Sequence, residues 1–407
     1  LITAAARGTF SGRELAAQLR QLTGGLRDAR LCLAYSGGRD STALLAALAA
    51  LRTRAGFELR AVHVNHQLQT GAGAWARAAL AAAARLSVPA RVLTVKVDAG
   101  GASVERNARE ARYGALRAQL LDGEYLLTAH HQDDQFETVL LQLLRGAGLA
   151  GLSAMPASAR FGRGWLLRPL LGVTRAALAR YASQHARRWA EDTSNRDLRF
   201  DRNFLRAALL PELQQRWPAA ASTVARSARH LAEAQILLDH AADRQLEQLQ
   251  AGAALSVAAL RRLGAAEQRN VLRRWFKRRA LPAPDTARLA ELQRGLLMAR
   301  HDATPLVSWP GVEVRRHGDS LSAMAPMPPL PSTGNWRWRH QRTLHLVGVG
   351  TLRLVDDAHG DLALSRLPTV LRVDYRRGGE ALATAVGRKP LKNLLQEIDL
   401  APWLRAR

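Results

Sequence analysis

The sequence predicts an α/β protein: an N-terminal parallel sheet with helices on both faces, then a mainly helical domain and a small α+β C-terminal domain. Three observations carry this. Strand-like and helix-like runs alternate over residues 31–145, the signature of βαβ units. The first strand runs straight into a glycine pair that opens a helix. A proline-rich break, SAMAPMPPLPSTG, parts a helical stretch from β-like pieces near the end, since proline cannot sit inside a ladder or a helix.

The elements follow in order. LCLAY (31–35) reads as a short buried strand and 40–54 as an Ala/Leu helix. FELRAVHVN (57–65) is a second strand and 72–87 an Ala-rich helix. PARVLTVKV (89–97) is a third strand. Residues 103–121 form an amphipathic helix with Ser103 at the N-cap; Arg106 stands where a capping box needs Glu or Gln. GEYLLTAHH (123–131) is a fourth strand, and 132–145 a helix. Residues 157–215 mix short apolar pieces with polar loops. The pattern is helical throughout from about 216 to 300. The expected domains are 1–215, 216–321, a linker at 322–335, and 336–407. The chain starts at Leu1 and stops at Arg407 in mid-pattern, so both ends read as trimmed.

At 407 residues and 47% hydrophobic, the chain can bury two or three cores. No apolar run approaches the ~20 residues of a membrane span. Residues 1–30 hold no secretory signal. The expectation is a soluble cytoplasmic protein that makes no use of a membrane. The single cysteine, Cys32, excludes an internal disulfide framework and a multi-cysteine metal site. Lys+Arg 59 against Asp+Glu 34 gives +25. Codon bias explains Arg in place of Lys, but not a surplus of cations, which calls for a polyanionic partner such as nucleic acid.

Ser36-Gly37-Gly38-Arg39-Asp40-Ser41 lies at the turn from the first strand into the first helix of the sheet. Such a turn exposes backbone N–H groups and the positive end of a helix dipole, which together bind anions. Glycines let the backbone approach phosphates. Ser36, Ser41 and Thr42 add hydroxyls. Asp40 repels a phosphate directly and is read as a Mg²⁺ ligand, because that ion favours one or two carboxylates plus phosphate oxygens. An ordinary βα turn with a polar N-cap is the plain alternative. A Walker-type loop is excluded, because no Lys follows the glycines. Further on, TAHHQDDQFET (128–138) sets Asp134, and also Asp133, one helical turn from Glu137. Such carboxylates hold a metal or recognise a cation; a solvated acidic first turn is the alternative.

The Ser-Gly-Gly-x-Asp-Ser run resembles the PP-loop of ATP pyrophosphatases, which split ATP between its α and β phosphates. HVNHQL, VERNAREARY, the His-His-x-Asp-Asp-Gln-x-Glu-Thr run, RGAGLAGLSAM, LLRPLL, EDTSNRDLRFDRNFLR and GRKPLKNLLQEIDLAPWLR then follow in order. Together they resemble the tRNA(Ile)-lysidine synthetases along essentially the whole chain. The resemblance implies an ATP-dependent ligase that adenylates the cytidine at the first anticodon position of an isoleucine tRNA bearing CAU. The side-chain amine of L-lysine then displaces AMP. It also implies that Ser36, Gly37, Gly38, Arg39, Asp40 and Ser41 bind ATP, with Mg²⁺ on Asp40. Asp134 and Glu137 would face the adenylate and the lysine ammonium. Arg109, Arg112 and Arg202 match family arginines suited to charge on the α-phosphate, or are surface charge. Asp40, Asp134, Glu137, Arg112 and Arg202 form the expected catalytic set. His130 and His131 fit a structural or a catalytic part equally. Arg39 stands where the family has a small or apolar residue, and QTGAGAWA departs from the family after HVNHQL.

LRRLGAAEQRNVLRRWFKRRALPAP (260–284) puts Leu263, Leu272, Trp275 and Phe276 on one apolar face and a run of cations on the rest. Arg269, Arg273, Arg274, Lys277 and Arg278 are expected to meet tRNA phosphates, with Arg388, Lys389 and Lys392 in the last domain. A core helix with a solvated basic side is the plain alternative. A tRNA thiolase is the nearest rival reading; it needs cysteines or an iron–sulfur cluster, and Cys32 is alone. A small-molecule amidating ligase leaves the charge unexplained, and a non-catalytic RNA-binding protein leaves Asp40 and Glu137 unexplained. The sequence leaves monomer and homodimer open.

Overall fold

The structure, a computed structural model, describes residues 9–67, 71–97, 104–185, 189–190, 197–300, 303–330, 336–346, 349–357, 363–384 and 387–405. The chain divides into two compact units, 1–236 and 237–407.

In the first unit, helix α1 (Gly12–Thr23) precedes β1 (Arg30–Ala34), α2 (Arg39–Ala55), β2 (Glu58–Asn65), α3 (Ala72–Arg85), β3 (Ala90–Thr94), α4 (Val104–Gln119), β4 (Tyr125–Leu127) and α5 (Gln132–Leu144). There follow α6 (Leu149–Leu152), β5 (Ser158–Phe161), β6 (Gly164–Leu167), α7 (Arg175–His185), α8 (Asp201–Phe204) and α9 (Leu210–Arg216). The strand order is β3-β2-β1-β4-β6-β5. Every neighbouring pair is parallel except β5 with β6. The alternation read from the sequence is therefore a parallel sheet with one antiparallel edge. Ser103, expected to cap α4, lies outside the described residues, as do 191–196 of the EDTSNRDLRFDRNFLR run.

Side chains of β1 alternate between two cores, as a strand's period requires. Leu31 and Leu33 are buried with Leu15 and Leu19 of α1, Leu44, Leu45 and Leu48 of α2, and Leu178 of α7. Cys32 points the other way, among Val62, Leu116 of α4, Leu120 just beyond that helix, Leu126 and Phe161. Helices thus cover both faces. The chain winds outward from β1 to β3, then returns to lay β4 on the other side of β1. Strand order reverses at β1/β4, and ligands of such sheets bind there, beyond the carboxyl ends of the strands. Both sequence motifs, 36–41 and 128–138, leave from that point.

Helix α10 (Ala220–Leu249) leads into the second unit. There β7 (Gln250–Ala251), β8 (Ala254–Ser256), α11 (Val257–Arg261), α12 (Ala265–Arg278), α13 (Thr286–Glu291), β9 (Leu306–Trp309), β10 (Val312–His317) and β11 (Ser320–Met324) follow. The antiparallel sheet β7-β8-β11-β10-β9 closes the core. Trp275 and Phe276, with Val271 and Leu272, are fully buried against it, and Leu263 packs at the margin. Arg316 is also buried; its guanidinium donates to the carbonyls of Leu296 (2.9 Å), Ala299 (2.8 Å) and Gly318 (3.0 Å), which satisfies the charge locally.

Two expectations are corrected here. The region from 216 to 300 is not helical throughout, because Gln250–Ala251 and Ala254–Ser256 are strands: β8 pairs with β11, and β7 pairs with β8. The proline-rich segment is not linker from its first residue, since Ser322–Met324 complete β11; residues 331–335 lie outside the described residues. The last part is built of paired strands, β12 (Trp336–Trp338) with β15 (Leu371–Val373), β13 (Thr343–Leu346) with β14 (Gly350–Arg353), and β16 (Ala381–Thr384) with β17 (Gly387–Pro390), followed by α14 (Leu391–Glu397). That is the expected α+β character.

Candidate active site

The turn after β1 is built from short hydroxyl contacts. Ser36 Oγ lies 2.9 Å from Ser41 Oγ and accepts from the Gly38 N–H at 3.3 Å. Ser41 Oγ donates to the Gly38 carbonyl at 3.0 Å, as does Thr42 Oγ1 at 2.8 Å. Gly38 is the N-cap of α2 and supplies no side chain to its amides, which leaves them to an incoming anion. Gly37 has φ +80°, in the left-handed region, and a Cβ there would stand 2.6 Å from the indole Nε1 of Trp75. That indole N–H is buried with no acceptor.

Asp40 meets Arg39 Nε at 3.3 Å and His131 Nε2 at 3.5 Å. Burial works against the Asp40 charge, but the hydrogen bond and charge of His131, with Arg39, hold its carboxyl below the usual range. Arg39 therefore pairs with its own neighbour in the first turn of α2. His131 is buried and stands 3.5 Å from Asp134 as well. Burial disfavours its cation, yet Asp40, Asp134 and Asp133 raise its pKa. His130 behaves oppositely. Burial, joined by the charges of Arg168, Arg109 and Arg112 and opposed by Asp134, lowers it to about 3, and its Nδ1 sits 2.8 Å from Thr128 Oγ1. Adjacent histidines thus have opposite charge preferences.

On α5, Asp134 and Glu137 converge as their spacing predicts, while Asp133 does not join them. Asp133 accepts from the Arg175 N–H at the start of α7 (3.0 Å). Asp134 accepts from the His131 N–H (2.9 Å) and from Arg206 Nη2 (2.7 Å). Glu137, 1% exposed, receives Arg206 Nε at 2.5 Å and Nη2 at 2.9 Å, a bidentate pair. Arg202 Nε lies 3.4 Å from the same carboxylate. Burial raises Asp134 but His131, His130 and Arg206 bring it down overall. Burial leaves Glu137 raised despite Arg206. The two carboxyls are thereby pushed apart.

A cavity of about 820 Å³ opens at this point. Ser36, Gly38, Arg39, Asp40 and Ser41 line it, with Trp75, Arg112, His130 and Arg206. Asp134, Glu137 and Arg202, expected at the reacting centre, do not line it; they stand behind Arg206. Arg109 and Arg112 both lie over the Tyr113 ring, at 5.0 and 5.5 Å. The sequence reading singles out Arg202 and passes over Arg206, although the four-residue step between them would set both on one helical face. Residues 205–209 form a π turn, and Arg206 sits in it; such turns gather at functional sites. It also passes over Trp75, which no spacing signals.

The basic set of the second unit is split. Arg274 binds Asp243 with two hydrogen bonds (2.7 and 2.6 Å) and Asp239 with one (2.9 Å). Lys277 pairs with Asp239 at 3.0 Å and Arg278 with Asp243 at 3.4 Å. Lys389 pairs with Glu397 at 2.5 Å. Arg269, Arg273, Arg388 and Lys392 make no ion pair with an acidic side chain among the described residues. Arg269 instead faces Arg273, whose pKa burial and that like charge depress.

A PP-loop domain model matches residues 12–213, a TilS substrate binding domain 255–322 and a TilS substrate C-terminal domain 371–407. The chain is 41% identical to the tRNA(Ile)-lysidine synthase of Coxiella burnetii over 387 residues, 93% of this chain and 86% of that one. It is 45% identical to that of Alkalilimnicola ehrlichii over 381 residues, 92% and 85% of the two chains. Among solved structures it is similar to a tRNA thiolase of Methanococcus maripaludis, with TM-score 0.44 and 16% identity over 54% of this chain and 78% of that one.

Proposed function

The chain belongs to the tRNA(Ile)-lysidine synthase family, and from that membership we propose that it ligates L-lysine, through its side-chain amine, to the cytidine at the first anticodon position of isoleucine tRNA bearing CAU. ATP becomes AMP and pyrophosphate. The observation that carries this reading is that His131 links Asp40, which lines the cavity beyond β1 and β4, to Asp134 of α5 behind it.

The proposed chemistry has two steps. The cytidine O2 attacks the α-phosphorus and the bond to the β-phosphate oxygen breaks, releasing pyrophosphate. The free amine of lysine then attacks C2, and the C2–O bond breaks to release AMP. The open amides of α2, with Ser36 and Ser41, receive the pyrophosphate charge. Arg112, which lines the cavity, with Arg109 beside it, offsets charge on the α-phosphate. Arg202 acts beside Glu137. The lysine ammonium must be held and then deprotonated. Asp134, with its depressed pKa, suits holding a cation; Glu137, with its raised pKa, suits accepting a proton. Asp40, its side chain 29% exposed and lining the cavity, is the residue that would hold Mg²⁺, with phosphate oxygens and water completing the shell; among the described residues no group of three or more His, Cys, Asp or Glu could hold a metal ion by itself. When bound there, Mg²⁺ would screen the triphosphate and ease departure of pyrophosphate.

The tRNA body would be met by Arg269, Arg273, Arg388 and Lys392, and by Arg274, Lys277, Arg278 and Lys389 where phosphate outcompetes their internal acids. The catalytic parts come from residues 36–206 of one chain, so the reading does not require a homodimer; sedimentation decides the state. No helix of the described residues is long and apolar enough to cross a membrane, and the cytoplasm, where tRNA is modified, is the proposed location. A thiolase reading lacks a nucleophile: Cys32 is 2% exposed, and burial pushes its thiol up to about 12. The direct test is transfer of labelled lysine, with ATP, to isoleucine tRNA bearing CAU against methionine tRNA bearing the same anticodon. Transfer to the first alone is expected; transfer to neither overturns the proposal.

A further inference from the structure

Among the described residues, four arginines line the cavity: Arg39, Arg112, Arg175 and Arg206. Of these, Arg206 alone among the described residues is hydrogen-bonded through its side chain to both Asp134 and Glu137. Neither carboxylate is among the described residues that line the cavity, whereas Arg206 is. A buried pair of carboxylates needs a cation beside it, and in this state the guanidinium supplies one. The substrate ammonium needs the same two carboxylates. The two cations exclude one another.

Resting on the proposed function, we infer that Arg206 is a placeholder for the lysine ammonium and that nucleotide removes it. A triphosphate seated on the Ser36–Ser41 turn brings phosphate oxygens into the cavity that Arg206 already lines. A planar guanidinium matches phosphate as well as it matches carboxylate. Arg206 turns from Asp134 and Glu137 to the nucleotide, where it adds positive charge near the α-phosphorus. The vacated carboxylates then accept lysine. The site is thereby filled in order, ATP before amine, and the amine is kept from the carboxylates until there is something to activate. Arg206 sits in the π turn at Leu205–Leu209, a local irregularity suited to such a shift.

This is a coupling between two ligands, and it is reciprocal. Binding of labelled L-lysine by equilibrium dialysis, with and without α,β-methylene-ATP, reads it. In the wild-type chain the analogue should tighten lysine binding about tenfold, within the usual range for coupled sites. In Arg206→Ala and in Arg206→Gln, lysine should bind without nucleotide as tightly as it does to the wild type with nucleotide, and the coupling should fall to about one. In turnover, the same variants should lower the lysine KM while lowering kcat, because the α-phosphate loses a cation. A merely structural Arg206 would not lower that KM. Absence of coupling in the wild type, or coupling retained in both variants, overturns the inference. Lysine transfer to tRNA is measured on the wild type in parallel: transfer without coupling sinks the placeholder and leaves the function standing, whereas no transfer sinks both.

Discussion

His131 Nε2 stands 3.5 Å from the Asp40 carboxylate, and by this contact the turn after β1 is tied to the turn after β4. The same nitrogen faces Asp134 at 3.5 Å, and Nδ1 lies 3.7 Å from Asp133. One imidazole ring, whose pKa these acids raise, therefore faces three carboxylates. His131→Ala is expected to cost about 2–4 kcal/mol, less than a fully buried pair because Asp40 is partly exposed. A urea midpoint shift checks this; an unchanged midpoint means that the tie is not structural.

Gly37 is expected to tolerate no side chain. Its φ of +80° costs a non-glycine residue about 1–3 kcal/mol, and the new Cβ would press on Trp75 Nε1. Gly37→Ala should lower the melting temperature and weaken binding of an ATP analogue. Adding Trp75→Ala should relieve part of the loss. A double variant no better than Gly37→Ala would show that the backbone angle alone sets the cost.

His130 gives the fold an acid sensitivity of definite sign. Its folded pKa is about 3 against an ordinary 6.5. Between those values the unfolded chain binds a proton that the folded chain refuses, so the contribution of His130 to stability falls as pH drops from 6.5 towards 3 and does not change above 6.5. His130→Asn, which retains a hydrogen-bonding partner for Thr128, should lose stability less steeply over that window. Melting curves from pH 3.5 to 8 read the difference; parallel profiles would contradict it.

The split of the basic helix predicts two kinds of variant. Arg274→Ala removes a strut to Asp239 and Asp243 and should cost about 1 kcal/mol of stability. Arg269→Ala and Arg273→Ala should leave stability nearly unchanged and weaken tRNA binding. Removing one cation from the phosphate backbone should reduce the slope of log affinity against log salt by about one. Filter binding at several salt concentrations separates the classes. Arg269 and Arg273 variants with the wild-type slope would remove this face of α12 from the tRNA interface.

Much of this was legible in the sequence. The βα units declare themselves because a buried strand, a turn and an amphipathic helix each follow a local rule, and LCLAY running into Ser-Gly-Gly meets all three. The Asp134–Glu137 pair was legible because three residues make nearly one helical turn. What escaped depends on distance along the chain. Arg206 meets Glu137 across 69 residues, so no window around either discloses the pair, nor that Glu137 lies behind the guanidinium rather than in the cavity. Strands β7 and β8 span two and three residues, too short for a period-2 pattern; β8 exists because β11 pairs with it, and β7 because β8 does. The acids that neutralise Arg274 lie on α10, in a stretch that reads by itself as ordinary helix surface.

The account turns on Asp40, poised between the anion-binding turn and His131. The most direct measurement is tRNA-dependent lysine transfer by Asp40→Ala, with tRNA binding followed alongside. Loss of transfer and of AMP release, with tRNA affinity within about twofold of wild type, is the expected result, since phosphate contacts elsewhere carry that affinity. Transfer at the wild-type rate in this variant would contradict the account.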